Sequence, residues 1–251
     1  MKRLVMLAST TAALVVAGPA LGQDDDEPEV YTYATYMYCN TDREDAVDAN
    51  WAEAAPVMDK LVEDGALRSW GYLAHHTGGQ WRRIRYHQSD SLQGAFDGLD
   101  AMNEALAAAF PDDGSDDDSA GACPRHDDYI WQVQASSGGD GRAEVGFSVY
   151  YECDISREGR ADEIFEERMA PGFNKMVEDG AIASWGWSSH VIGGKYRRLQ
   201  TMTAANLAAL LEARTASIGM MYPEDSAAAQ EFADICGPHT DYIWEIRHEK
   251  P

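Results

Sequence analysis

The stretch APVMDKLVEDGALRSWGYLAHHTGGQWRR at residues 55–83 recurs without a gap as APGFNKMVEDGAIASWGWSSHVIGGKYRR at residues 170–198, and 16 of the 29 positions are identical. Downstream, CPRHDDYIW at residues 123–131 matches CGPHTDYIW at residues 236–244. Upstream, Cys39 and Cys153 each end a tyrosine-rich stretch. A unit of about 105 residues is therefore written twice, as residues 30–134 and 145–248. A Gly/Ser-rich linker, 135–144, joins the copies, and a short acidic lead-in, 23–29, precedes them.

Both copies read in the same order. Residues 31–39 and 145–153 alternate as strands, with Val145, Phe147, Val149 and Tyr151 on one face. Val47, Trp51, Ala54, Met58 and Leu61 recur at helical spacing, as do Ala161, Phe165, Met169, Phe173 and Met176. Gly65 and Gly180 stand where a helix end favours glycine. Two strands then flank Gly78-Gly79 or Gly193-Gly194 as a hairpin. A second helix opens near Ser91 or Thr203, and a last strand covers 129–134 or 242–247. The order β-α-β-β-α-β is the ferredoxin-like split unit, α+β in class. Its crossovers imply strand order 4-1-3-2 with both helices on one face. The end of strand 1 then lies beside the start of strand 4, which pairs Cys39 with Cys123 and Cys153 with Cys236. Each bridge closes a loop of about 84 residues, for which chain entropy gives roughly 4–5 kcal/mol.

The N-terminus sets the expected compartment. Lys2 and Arg3 precede an apolar run over residues 4–18, and Ala20-Leu21-Gly22 supplies the small residues of a cleavage site. This reads as a secretory signal peptide, residues 1–22, and places the mature chain in the periplasm or outside the cell. No later segment is apolar enough to cross a bilayer, so no membrane insertion is expected after cleavage. Four cysteines in an oxidising compartment fit two disulfides. The whole chain has net charge −23, and losing Lys2 and Arg3 leaves 18 basic against 43 acidic residues. Phosphate backbones meet a repulsive field, which excludes nucleic acid as a partner.

Paired units of this order and length resemble the dimeric α/β-barrel superfamily over residues 30–248. The resemblance implies two antiparallel sheets that face each other as a pseudo-dimeric barrel, with pockets between sheets and helices. That group includes small antibiotic-biosynthesis monooxygenases, stress-responsive barrel proteins, and the haem-binding chlorite dismutase and dye-decolourising peroxidase families. The GxxDG element of the last is absent. A short tether gives a high effective concentration and favours closure within one chain, and the assembly is a monomer or a homodimer.

The Gly-Gly turns set Ala74 opposite Arg83 and Tyr72 opposite Arg85. With Ile84 and Leu199 taken as helix-facing core, the inner face carries Trp70, Tyr72, Trp81, Arg83 and Arg85. In the second copy it carries Trp185, Trp187, Tyr196, Arg198 and Gln200. Tyr36 and Tyr150 join them from strand 1. The expected site is thus Trp70, Arg83 and Tyr36 with Trp185, Arg198 and Tyr150, holding a small anionic or aromatic ligand. His75 and His190 recur as one pair and His126 and His239 as another. They are candidates for proton transfer or for metal or haem, provided that His75 meets His239 and His190 meets His126 across the copies. The acidic run DDGSDDD at 112–118 lacks EF-hand spacing, and no metal site is expected. No nucleophile constellation, phosphate loop or dinucleotide fingerprint occurs. The functional expectation is an exported small-molecule-binding protein with no resident cofactor. An oxidative enzyme, cofactor-free or haem-dependent, and a structural module without ligand are the alternatives. The sequence names no reaction.

Overall fold

The computed structural model describes residues 29–111, 121–138 and 143–251. The expected signal peptide, most of the expected acidic lead-in, the acidic run 112–118 and the middle of the expected linker lie outside the described residues. The first half contains β1 (Tyr31–Tyr38), α1 (Glu44–Glu63), β2 (Ser69–Gly78), β3 (Arg83–Ser89), α2 (Leu92–Ala109) and β4 (Arg125–Gly138). The second contains β5 (Val145–Tyr151), α3 (Glu158–Ile164), α4 (Ala170–Glu178), β6 (Ser184–Ile192), β7 (Arg198–Ala204), α5 (Leu207–Met221), α6 (Ala227–Ile235) and β8 (His239–Lys250).

Eight antiparallel strands close into one barrel in the order β1-β3-β2-β8-β5-β7-β6-β4. Within that ring each half keeps the order 4-1-3-2. Its two edge strands pair with those of the other half, β2 with β8 and β4 with β6. Closure therefore occurs within one chain. It also explains why β4 and β8 outrun their expected ends at 134 and 247. Ala135–Gly138 lie opposite Trp187–Ser184, and Lys250 lies opposite Trp70. An edge left open would expose a row of unpaired backbone donors and acceptors; pairing removes it. Both expected disulfides form, Cys39–Cys123 and Cys153–Cys236.

Local sequence signals account for the helix ends. Ser91 accepts the Gly94 N–H at 2.9 Å to cap α2, and Asn206 accepts the Ala209 N–H at 3.0 Å to cap α5. One difference separates the halves. Asp48 and Asp162 occupy matching positions, as do Ala55 and Ala170, so the second half has one extra residue between them. A π-helical turn at Phe165–Met169 absorbs it between α3 and α4, where the first half has the single helix α1. Helix α6, which buries Phe232 and Ile235, is an addition to the expected elements.

Two kinds of core result. The lumen holds Tyr36, Trp81, Ile84, Tyr129, Trp131, Tyr150, Tyr196, Leu199, Tyr242 and Trp244, packed ring on ring. Trp81 stacks on Tyr36 at 4.2 Å, and Tyr36 meets Tyr150 edge-on at 5.5 Å. Between sheet and helices lie two further clusters, one around Met58, Trp70 and Met102 and the other around Phe165, Phe173 and Trp187. The expected hairpin register holds, with Ala74 opposite Arg83 and Tyr72 opposite Arg85. The expected inner face holds for Trp81 and Tyr196 and fails for the other hairpin residues. Ile84 and Leu199 fill the lumen, so Trp70, Tyr72, Arg83, Trp185, Trp187 and Arg198 turn to the helices. Parity along a strand permits both assignments; the acids on α1 and α3 decide for the second, because only that face offers the arginines partners.

His87 lies on the helix side of β3, with Nε2 donating to the Ala95 carbonyl at 2.8 Å and Nδ1 buried without a partner. Burial pushes its pKa down to about 4. The unfolded chain then binds more protons than the fold between about pH 6.5 and 4, so stability is lost as pH falls through that window, by roughly 3 kcal/mol in all. His87→Met, which copies Met202 at the matching position, should flatten this slope, as measured by urea unfolding at about pH 7 and pH 4.5.

Candidate functional site

Among the described residues, Arg83 and Arg198 are thoroughly satisfied cations. Arg83 is 3% exposed; its Nε and Nη2 donate to Asp48 at 2.6 and 2.9 Å, and its Nη1 donates to the Arg82 carbonyl. Arg198 binds Asp162 at 2.7 and 2.6 Å and the Arg197 carbonyl in the same way. Glu44 and Glu158 complete the clusters at 3.1 and 3.2 Å. Burial pushes both glutamates up, yet the neighbouring guanidinium groups outweigh it and hold them below the usual carboxylate range. These arginines fasten the first helix of each half to its sheet. Trp70 and Trp185 serve the same layer: their indoles donate to Asp59 and Asn174 at 2.8 and 2.9 Å. Tyr36 and Tyr150 lie instead in the lumen, where Tyr36 accepts the Trp131 indole N–H at 3.0 Å. The structure thus separates the six expected ligand-binding residues, and each contacts protein.

The histidine pairs do not meet either. Nδ1 of His75 accepts from Arg82 at 2.6 Å, and that of His190 from Arg197 at 2.7 Å. Burial first, and then the adjacent guanidinium, lowers both pKa values. Their Nε2 atoms are buried without partners, and the rings lie edge-on to Tyr242 and Trp244 and to Tyr129 and Trp131. His126 and His239 sit on the surface beside Asp128 and Asp241. His75 lies opposite Trp244, while His239 starts β8 opposite Tyr151.

Room for a small molecule exists outside the barrel, in two grooves at matching places. The first, of about 640 Å³, lies between α1 and the β2–β8 seam. The second, of about 540 Å³, lies between α4 and the β4–β6 seam. Their chemistry differs. In the first groove Trp51 stacks on Tyr72 at 5.3 Å, and the Tyr72 hydroxyl donates to Asp48 at 2.7 Å. His248 lies across from Tyr72, stacks on Trp70 at 4.8 Å and bonds through Nε2 to Asp59 at 3.1 Å. Arg247 stands at its edge. In the second groove Ala135 replaces His248 opposite Trp187, and Asn174 replaces Asp59. Phe165, carried inward by the π turn, stacks on Trp187 at 4.1 Å and closes the space that Trp51 leaves half-open. A neutral imidazole that donates through Nε2 to a carboxylate keeps Nδ1 as its basic atom. The first groove therefore pairs an oriented proton acceptor with aromatic walls, and the second does not.

No protein-family model and no curated protein sequence matches this chain. Solved structures do. A candidate monooxygenase from Fusobacterium nucleatum superposes with a TM-score of 0.56 at 8% identity, covering 88% of this chain and 94% of that one. An anthrone oxidase-like protein gives 0.52 at 10% identity, covering 90% and 94%. A mutant chlorite dismutase from Candidatus Nitrospira defluvii gives 0.50 at 7%, covering 86% and 91%. The fold is that of the dimeric α/β-barrel proteins.

Haem needs an axial ligand with an atom aimed into a cavity. His75 and His190 hold an arginine on one nitrogen and ring edges at the other, and His126 and His239 pair with aspartates at the surface. These arrangements do not fit an axial ligand. Among the described residues no group of three or more His, Cys, Asp or Glu side chains is placed to hold a metal ion.

His248, Asp59 and Arg247 are absent from the expected site, and Trp51 is expected only as helix core, because the features common to both copies point elsewhere. The informative signal is the reverse: Asp59 against Asn174, and a histidine near the chain end with no counterpart. Since Arg83 is anchored to protein, Arg83→Ala should destabilise the fold by about 3 kcal/mol by taking the two-point guanidinium contact from Asp48, while Glu44 keeps Arg82. Urea unfolding reads this directly.

Proposed function

We propose that this chain is an exported oxidative enzyme of the cofactor-free kind, two ferredoxin-like units in tandem, acting on a small hydroxylated aromatic held in the α1 groove. The carrying observation is the Asp59–His248 pair beside Trp51 and Tyr72, present in one groove and missing from the other. Neighbours in fold that are described as monooxygenases, or as anthrone oxidase-like, support oxidation over simple binding. The leader peptide and the two disulfides support export.

The chemistry follows from the donors present. Trp51 and Tyr72 offer ring faces to a flat substrate. Nδ1 of His248 takes the proton of an acidic C–H or O–H, and Asp59 steadies the imidazolium that forms. The resulting anion is electron-rich, and dioxygen is the oxidant. For an activated methylene, one substrate and one dioxygen give one carbonyl and one water. Both C–H bonds break, one oxygen atom stays on carbon, and the other leaves as water with the two hydrogens. Arg247 at the groove edge favours the anionic state.

Oxygen uptake with anthrone as the probe tests this. Wild-type protein should consume oxygen, and His248→Ala should cut the rate by about 100-fold or more. Asn174→Ala in the second groove should leave it unchanged. Quenching of tryptophan fluorescence by anthrone without oxygen uptake would return the protein to ligand binding alone.

A further inference from the structure

Five arginines stand on or next to β3 and β7, and four of them meet a carboxylate closely. Arg82 reaches Glu44 at 2.6 Å, Arg83 reaches Asp48 at 2.6 Å, Arg197 reaches Glu158 at 2.5 Å and Arg198 reaches Asp162 at 2.6 Å. Arg85 is different. It is half-buried on the helix-facing side of β3, and among the described residues no carboxylate lies within 4.0 Å of it. Among the described residues its one hydrogen bond runs from Nη2 to the Thr35 hydroxyl at 3.0 Å. Thr35 donates its own proton to Asp128 at 2.8 Å, so the nearest acid is one hydroxyl removed. The indole of Trp51 covers the guanidinium, with the ring centre 5.7 Å from its central carbon. Two residues along the same face, Nδ1 of His87 is buried without a partner.

The fold does not require a cation here. At the matching place in β7 the second half has Gln200, which is buried and accepts the Tyr151 hydroxyl at 3.1 Å. The neutral side chain is satisfied; the charged one is not. A guanidinium has five N–H donors in a planar fork and is costly to shelter from water without an acceptor for them. Burial lowers the pKa of Arg85 and outweighs the pull of Asp128, whereas at Arg83 and Arg198 the adjacent carboxylates outweigh burial and raise it.

We propose that Arg85, with Thr35 and the Trp51 indole, is a carboxylate-binding site, so that the aromatic ligand of the α1 groove is an aromatic carboxylate. The fork geometry matches a carboxylate in two-point contact. Trp51 roofs Arg85 and also walls the groove, which Arg85 and Thr35 themselves do not line, so the carboxylate of such a ligand must reach Arg85 past the edge of the indole. A single small negative charge suits the site, since a polyanion would be repelled by the −23 net charge of the chain. The inference rests on reading the α1 groove as the ligand site.

The test uses the full mature chain with acetate, 4-hydroxybenzoate and phenol as probes. Acetate and 4-hydroxybenzoate should shift the Arg85 Nε–H resonance, assigned by its loss in Arg85→Gln. 4-Hydroxybenzoate should bind at least tenfold more tightly than phenol. Arg85→Gln should abolish that preference, bind phenol as before, and unfold no earlier than the wild type, since glutamine is what the second half already uses. Carboxylates should raise the wild-type Tm and leave that of the variant unchanged. An unmoved Arg85 resonance, or a tenfold preference that survives in Arg85→Gln, overturns the proposal. Early unfolding of the variant combined with a wild-type Tm indifferent to carboxylates also overturns it, by making Arg85 structural. Carboxylate binding at Arg85 without oxygen uptake from anthrone leaves this site standing and removes the oxidative reading; oxygen uptake without carboxylate preference does the reverse.

Discussion

Everything in this molecule depends on two seams of backbone hydrogen bonds, β2 against β8 and β4 against β6. Each half alone is a four-stranded sheet with two raw edges and one bare apolar face. The seams remove all four edges at once, and the two bare faces become a lumen. That lumen is filled by stacked tyrosines and tryptophans. The pocket space is displaced outward as a result, to the places where a helix runs beside a seam. Both grooves lie there. Closure thus determines where a ligand fits as well as how the sheet is held.

The helices are fixed to the barrel by charge. Each half sets one arginine of its hairpin against two acids on the first turns of its first helix, with the guanidinium almost wholly covered. Such clusters are weak contributors when compared with well-packed apolar groups, yet breaking one leaves stranded charges. They are therefore retained in both halves, which makes them conspicuous. Repetition in this chain marks scaffold: the arginines, the His–Arg contacts at the rim, the disulfides and the lumen rings all occur twice. The proposed chemistry is concentrated where the halves part company, at Asp59, His248, Trp51 and Arg85.

That contrast explains what the sequence reveals and what it hides. Element order, strand order within each half and cysteine pairing follow from periodicity and crossover rules, and the hairpin register follows from Gly78-Gly79 and Gly193-Gly194. The direction in which Arg83 and Arg198 point does not, because alternation along a strand is blind to which face meets a helix. The joining of β8 to β2 is also invisible to local patterns, since it links strands from opposite ends of the chain, and His248 acquires its neighbours only through it. One extra residue in the second half is easy to see, but its effect, a π turn that swings Phe165 over Trp187, needs the packed structure.

Both disulfides lie inside a half and none crosses a seam. Apart from the short connection after β4, the halves are held to one another by strand pairing, by the lumen and by side-chain contacts beside the seams such as His248–Asp59 and Lys250–Glu63. A chain cut in that connection would yield two pieces, each with its own covalent clasp and its own pair of sheet edges. Pairing with each other would bury the lumen rings of both, so the two pieces form a complementary pair of fragments. The α1 groove would then be assembled from both, with Asp59 and Trp51 from one piece and His248 from the other.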